Sequence, residues 1–216
     1  MPRFRDRTEA GRQLGETLAA RLPPGGDPLV LGLPRGGVPV AFEVARALGA
    51  TLDVWLVRKL GLPGWEELAM GALASGGVQV LNEGVVGAVS DELLEAVVAR
   101  ETRELQRRER VFRGDAPPPI ITGRTVIVVD DGVATGATLR AALLALRQLK
   151  PARLIAAVPV ASREASELIQ PLVDDWVALW VPEVFRAVGE GYADFPQPPD
   201  AEVVRLLAAA RADHPG

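Results

Sequence analysis

The chain contains no cysteine and one histidine, His214, close to its C-terminal end. Without cysteine there can be no disulfide, no zinc–thiolate centre and no thiol nucleophile. With one histidine, in a tail expected to fray, neither a Ser-His-Asp triad nor a histidine-rich metal site is supported. Lysine is almost as scarce, with Lys59 and Lys150 alone, so arginine supplies nearly all of the positive charge. No apolar run reaches the eighteen or so residues of a membrane span. Met1–Arg5 has no apolar stretch behind it, which speaks against a secretory leader and for a cytoplasmic protein. The net charge of −4 and pI near 5.2 argue against nucleic-acid binding. No basic face or added helix-turn-helix is visible.

What is present suits one α/β domain across residues 1–216. Hydrophobic residues make up 48% of the chain, enough for a substantial core. Short apolar strands alternate with helical periodicity, as a parallel sheet with crossover helices requires. Helices are expected at Thr8–Leu22, Pro39–Leu48, Asp91–Phe112, Ala137–Leu149, Arg163–Ile169 and Asp200–Arg211. Strands are expected at Leu29–Leu33, Leu52–Arg58, Thr125–Asp130, Arg153–Pro159 and Asp175–Val181. Ser90 is placed to cap the long charged helix. The expected fold class is therefore a single-domain parallel-core twisted sheet with helices on both faces.

The most informative segment is Thr125–Thr138, TVIVVDDGVATGAT. Val126–Val129 reads as a strand buried on both faces. Asp130 and Asp131 follow, then a small-residue turn and the start of a helix. Backbone N–H groups at such a strand–loop–helix junction have no internal partner, and the helix dipole favours an anion there. Thr135 and Thr138 add hydroxyl donors. The acid pair would repel a phosphate but accepts hydrogen bonds from sugar hydroxyls. A phosphate next to a diol describes a ribose 5-phosphate. Neither G-x-G-x-x-G nor a Gly-Lys-Ser/Thr turn is found here.

A second loop, Gly32-Leu33-Pro34-Arg35-Gly36-Gly37, follows the first strand. Its adjacent glycines allow unusual backbone angles and a close backbone approach. Arg35 offers a planar fork for phosphate oxygens. In a parallel sheet both loops lie at the carboxyl edge, which places two anion sites on one rim. The plain alternative is an ordinary strand-to-helix turn. Arg58-Lys59 ends the next expected strand and is either a solvated terminus or a further cation on that rim.

The Val126–Asp131 strand and acids with Thr135-Gly136-Ala137-Thr138 resemble the 5-phosphoribosyl 1-pyrophosphate (PRPP) motif of type I phosphoribosyltransferases. Pro34-Arg35-Gly36-Gly37 looks like their pyrophosphate loop, and the whole chain resembles the bacterial group with a GLPRGG-type first loop. The resemblance implies transfer of a phosphoribosyl group to a nitrogenous base, with magnesium as cofactor and small molecules as partners. A homo-oligomer is left open. It implies that Asp130 and Asp131 hold the ribose hydroxyls and that Ala134, Thr135, Gly136, Ala137 and Thr138 hold the 5-phosphate. Arg35, Gly36, Gly37 and Lys59 would face the pyrophosphate. The family often carries a cis peptide in its first loop, here the Pro34–Arg35 bond. Ala134 departs from the hypoxanthine type, which has an acid at that place; adenine- and orotate-type enzymes do not.

Between residues 60 and 123 lies an insertion with Gly-rich turns, a hairpin expected near Ala72–Val86 and the charged helix. Its counterpart in the family is a mobile lid over PRPP. The arginines of Arg100–Arg113 read mainly as a solvated helix face with pairs such as Glu104–Arg108. Residues 182–216 are similar to a C-terminal hood, in which Phe185 would stack on the base and Asp194 would help hold magnesium. The alternative is a turn that packs Phe185 and Phe195 into the core. A second function of another class fits the same fold: a PRPP- or nucleotide-sensing regulator without catalysis.

Overall fold

In the computed structural model, residues 3–23 and 26–213 are described, with only the backbone at 65–68. His214 lies outside the described residues. Strand β1 (Leu29–Gly32) lies in a parallel sheet between β2 (Thr51–Val54) and β6 (Thr125–Val129). The sheet continues through β7 (Arg153–Val160) to β8 (Asp175–Trp180), in the order β2-β1-β6-β7-β8. Between β2 and β6 come β3 (Val57–Leu62), β4 (Trp65–Ala74), β5 (Val78–Leu81), the one-turn α3 (Glu83–Val86) and α4 (Asp91–Arg113). The remaining helices are α1 (Arg7–Ala19), α2 (Gly37–Leu48), α5 (Ala137–Gln148), α6 (Arg163–Ile169) and α7 (Asp200–Asp213).

The β-branched run of β6 explains the layering. Successive side chains of a strand point to opposite faces. Ile127 and Val129 join a core with Leu14 and Leu18 of α1, Val40 and Val44 of α2 and Leu207 of α7. Val126 and Val128 join a second core with Leu139, Leu143 and Leu146 of α5 and Ile169 of α6. The strand is buried on both faces, as its sequence predicts. Local signals set the helix ends: Asp6 caps α1 through Glu9 N–H, Ser90 caps α4 through Leu93 N–H, and Ser162 caps α6 through Ala165 N–H.

The expected strand Leu52–Arg58 is corrected. Strand β2 ends at Val54, and Trp55-Leu56 carries the chain out of the parallel sheet. Ser75 draws it away: its hydroxyl accepts from Leu56 N–H at 3.0 Å, and its own N–H donates to Leu56 O at 2.9 Å. Arg58 and Lys59 therefore open β3 of a separate antiparallel sheet, β3-β4-β5. The hairpin begins earlier than expected, at Trp65 rather than near Ala72.

The insertion is joined to the core and not merely draped over it. Val97, Leu105 and Phe112 of α4 enter the same core as α1 and α2. Its C-terminal end is pinned by buried Arg113, which donates to both Asp53 carboxylate oxygens at 3.0 and 3.2 Å and to Val54 O at 2.8 Å. Arg58 donates twice to Glu101 Oε2, at 2.9 and 2.7 Å. Burial raises the proton affinity of Glu101, but Arg58 and Arg100 outweigh it and hold the carboxyl below its ordinary range.

Candidate functional site

Both loops meet at the acid pair. The Pro34–Arg35 peptide is cis. Gly36 has φ −61° and ψ −34°, ordinary helical angles, so it is not there for backbone freedom. Space is the reason. A Cβ on Gly36 would lie 2.0 Å from Asp131 Oδ2, and one on Gly37 would lie 2.7 Å from Val129 O and 3.0 Å from Asp130 Oδ1. The first loop rests its backbone directly on the two acids.

The second loop is fixed from the side of β7. Val133 N–H donates to Val160 O at 2.9 Å, Ser162 N–H donates to Val133 O at 2.9 Å, and Ser162 Oγ donates to Ala134 O at 2.6 Å. Gly136 precedes α5 with φ 77°, a left-handed conformation that favours glycine. Gly136 itself has no side chain to cap the helix, and Ala137 N–H reaches Thr135 Oγ1 at 3.5 Å. The next N–H groups of the first turn are left to solvent or to a ligand. Ala134, Thr135, Ala137 and Thr138 are exposed around them.

The acid pair is desolvated. Burial first, then the neighbouring Asp131, raises the Asp130 carboxyl well above its usual range. Burial also raises Asp131, with Arg7 opposing it. Asp130 Oδ1 accepts the Asp131 N–H at 2.9 Å. Asp131 Oδ2 is gripped by Arg7, through Nε at 2.8 Å and Nη2 at 2.7 Å. The Tyr192 hydroxyl donates to the Asp131 carbonyl oxygen, and burial together with Asp131 pushes that phenol up. Arg7, Ser162 and Tyr192 were not legible as site residues. Arg7 is one arginine among many in an N-terminal helix, and nothing local to it signals a partner more than a hundred residues away.

A small cavity of about 80 Å³ adjoins both loops, lined by Pro34, Trp55, Arg58, Arg108, Phe112 and Thr138 among others. The buried Trp55 indole N–H has no hydrogen-bond partner among the described residues. Arg35 lies 3.6 Å from Asp200 Oδ1, and Arg108 lies 3.9 Å from the same oxygen. Lys59 is exposed on β3, opposite Ala72, and does not line this cavity. Arg58 does. A roomier depression of about 530 Å³ runs along α4 from Arg103 to Val111 and touches neither loop.

In the C-terminal segment, Phe185 is half-buried against the cluster of Phe4, Val160 and Tyr192. Asp194 is exposed, and its N–H donates to Arg5 O at 2.8 Å. Among the described residues, no three His, Asp or Glu side chains gather as a metal cage. No helix of the described residues is long and apolar enough to cross a membrane.

Comparison with known proteins follows the same outline. Residues 20–177, from the end of α1 into β8, match the phosphoribosyl transferase domain. A Mycobacterium tuberculosis protein named "Putative phosphoribosyl transferase Rv0571c" is 45% identical over 215 residues, 99% of this chain. The chain spans 48% of that protein's length, about half. The "Bifunctional protein PyrR" of Chloroflexus aurantiacus is 37% identical over 159 residues, 68% of this chain and 76% of its own. The crystal structure of TT1426 from Thermus thermophilus is 47% identical, with a TM-score of 0.85 over 96% of this chain and 98% of that one. With the domain pattern spanning both loops and the acid pair, and that crystal structure matching the fold almost end to end, the chain belongs to the phosphoribosyl transferase family.

Proposed function

We propose that this chain transfers the 5-phosphoribosyl group of PRPP to a ring nitrogen of a nucleobase or related heterocycle. The observation that carries this reading is the seating of Gly36-Gly37 on Asp130 and Asp131. It brings a phosphate-type helix N-terminus, a desolvated acid pair and an arginine-bearing loop into one site. A sugar with a phosphate at one end and a pyrophosphate at the other matches that order.

In the reaction, the bond from C1 of the ribose to the pyrophosphate oxygen breaks, and a bond from C1 to the ring nitrogen forms. Pyrophosphate leaves with the electron pair, and the ring nitrogen gives up its proton. The protein chiefly positions the reactants and neutralises the leaving group. Asp130 and Asp131 hold the ribose hydroxyls. Residues Ala134 to Thr138 hold the 5-phosphate through backbone N–H groups and the two threonine hydroxyls. Arg35, Gly36 and Gly37 face the pyrophosphate; Lys59 is the more distant cation, and Arg58 and Arg108 flank the adjoining cavity. Phe185 offers its ring to the base. Magnesium fits this donor set as an ion carried on phosphate oxygens, which needs few protein ligands. Asp194 is the proposed protein contact to it. Such an ion supplies charge neutralisation at the leaving group.

Ala134 gives a second reading its footing. No carboxylate stands at the turn to take the ring proton, which suits a PRPP- or nucleotide-sensing regulator. One experiment separates the two: a nucleobase panel with PRPP and magnesium, followed by pyrophosphate release. Release with one base establishes transfer. PRPP binding without release on any base favours the sensor, and absence of PRPP binding overturns both.

A further inference from the structure

Arg7 lies outside both anion loops and precedes the residues matched by the domain pattern. Each acid already spends one oxygen within the protein. Asp130 Oδ1 accepts the Asp131 N–H, and Asp131 Oδ2 accepts two guanidinium N–H groups. That same Oδ2 is walled on its other side by Gly36. Asp130 Oδ2 and Asp131 Oδ1 take no bond from any nitrogen donor among the described residues. The two carboxyls bond to each other while one of them holds a proton; with both ionised, the remaining oxygens, one per acid, match the two hydroxyls of a vicinal diol.

Arg7 is in turn held by the C-terminal segment. Its Nη1 donates to Pro196 O at 2.6 Å, and its guanidinium carbon sits 3.8 Å from the Phe195 ring centroid. Phe195 stacks on Tyr192 at 4.6 Å and 21°. Tyr192 closes the circuit through its bond to the Asp131 carbonyl oxygen. Arg7 and Asp131 are largely buried, with side-chain exposures of 10% and 14%, so the pair is held in a fixed geometry.

We propose that Arg7 is the positioning residue of the acid pair: by occupying Oδ2 of Asp131 it leaves one acceptor on each acid for a sugar diol. Its contacts with Phe195 and Pro196 tie that arrangement to the docking of the C-terminal segment. Arg7 touches no substrate itself. The inference rests on the phosphoribosyl reading above.

The test compares ribose 5-phosphate with 2-deoxyribose 5-phosphate by calorimetry, in wild type, Arg7→Gln and Arg7→Lys, with PRPP as a control. Wild type is expected to prefer the ribose form by about 10- to 100-fold, the worth of one charge-assisted hydrogen bond. Arg7→Gln should lose most of that preference and bind the deoxy form as wild type does. A general loosening of the site would weaken both sugars equally, and that outcome overturns the proposal. Arg7→Lys keeps the buried charge and so guards against a variant that fails to fold. It should recover the fold but only part of the preference, because one ammonium cannot reproduce the planar fork. Full preference in folded Arg7→Lys overturns the proposal as well. If wild type binds PRPP with no sugar preference, or binds no PRPP, the diol reading of the acids falls first and takes this proposal with it.

Discussion

At the scale of single residues, Asp130 and Asp131 are adjacent in the chain yet differ in what holds them. Asp130 makes no ion pair of its own among the described residues, and burial, then the neighbouring Asp131, raises its carboxyl well above the ordinary aspartate range. A group that binds its proton more tightly when folded stabilises the fold fully below its unfolded pKa, near 3.8, and loses that contribution as pH rises through the folded value. The acid pair therefore costs stability at neutral pH. Asp130→Asn should remove that cost, since the amide can donate to Asp131 as a protonated carboxyl would. Thermal unfolding should place its Tm above wild type at pH 7, by about 2–4 °C per kcal/mol relieved, with the difference shrinking toward pH 4. Asp131→Ala should do the reverse. It strands buried Arg7, a loss of about 3–5 kcal/mol for a broken buried pair, readable in urea. A Tm for Asp130→Asn below wild type at pH 7 would remove the electrostatic account.

Gly36 belongs to the same scale. Its angles suit any residue, but in Gly36→Ala the new Cβ would lie 2.0 Å from Asp131 Oδ2 and push that carboxylate off Arg7. We expect PRPP affinity to fall at least about tenfold and Tm to fall with it. Unchanged affinity would mean the carboxylate can move aside without consequence. Phe185→Ala, by contrast, should raise the KM for the base and leave PRPP affinity nearly constant.

At the scale of elements, α4 is fastened from Val97 onward, most heavily at its C-terminal end. Its C-terminal half buries Leu105, Phe112 and Arg113, and Glu101 pairs with Arg58. The stretch that leads into it, from Leu81 to Leu93, is mostly exposed. Arg113→Met should therefore unpair buried Asp53 and lower stability by about 3–5 kcal/mol. Because α4 also presents Arg108 to the cavity beside Thr138, PRPP binding should weaken with it. Loss of stability alone, with intact PRPP affinity, would separate α4 from the site.

For the whole molecule, the proposed transfer predicts closure over the site, which would exclude water from a charged intermediate. A glutamate-specific protease should cut first near Glu83, Glu92 or Glu95, which are exposed and outside the core. PRPP with magnesium should slow that cleavage several-fold. Equal rates with and without PRPP would remove closure from the mechanism while leaving the binding site intact.

Local signals were enough for much of this. The apolar run of Val126–Val129, its acids and the small-residue turn give strand, loop and helix in order, because each is set by neighbours within a few positions. Helix α6 begins and ends at the bounds expected from its sequence, Arg163 and Ile169. Tertiary structure decided what depends on distance. It split the expected Leu52–Arg58 strand, because Ser75 competes for the backbone of Leu56. Of the two reasons the sequence offers for Gly36, unusual angles and close approach, it kept close approach, and to Asp131, which lies against it. It also brought residues from the two ends of the chain to Asp131: Arg7 onto its carboxylate, Tyr192 onto its backbone carbonyl and Phe195 against Arg7. A buried ion pair between residues so far apart leaves no periodic trace, since its partners are chosen by packing and not by spacing.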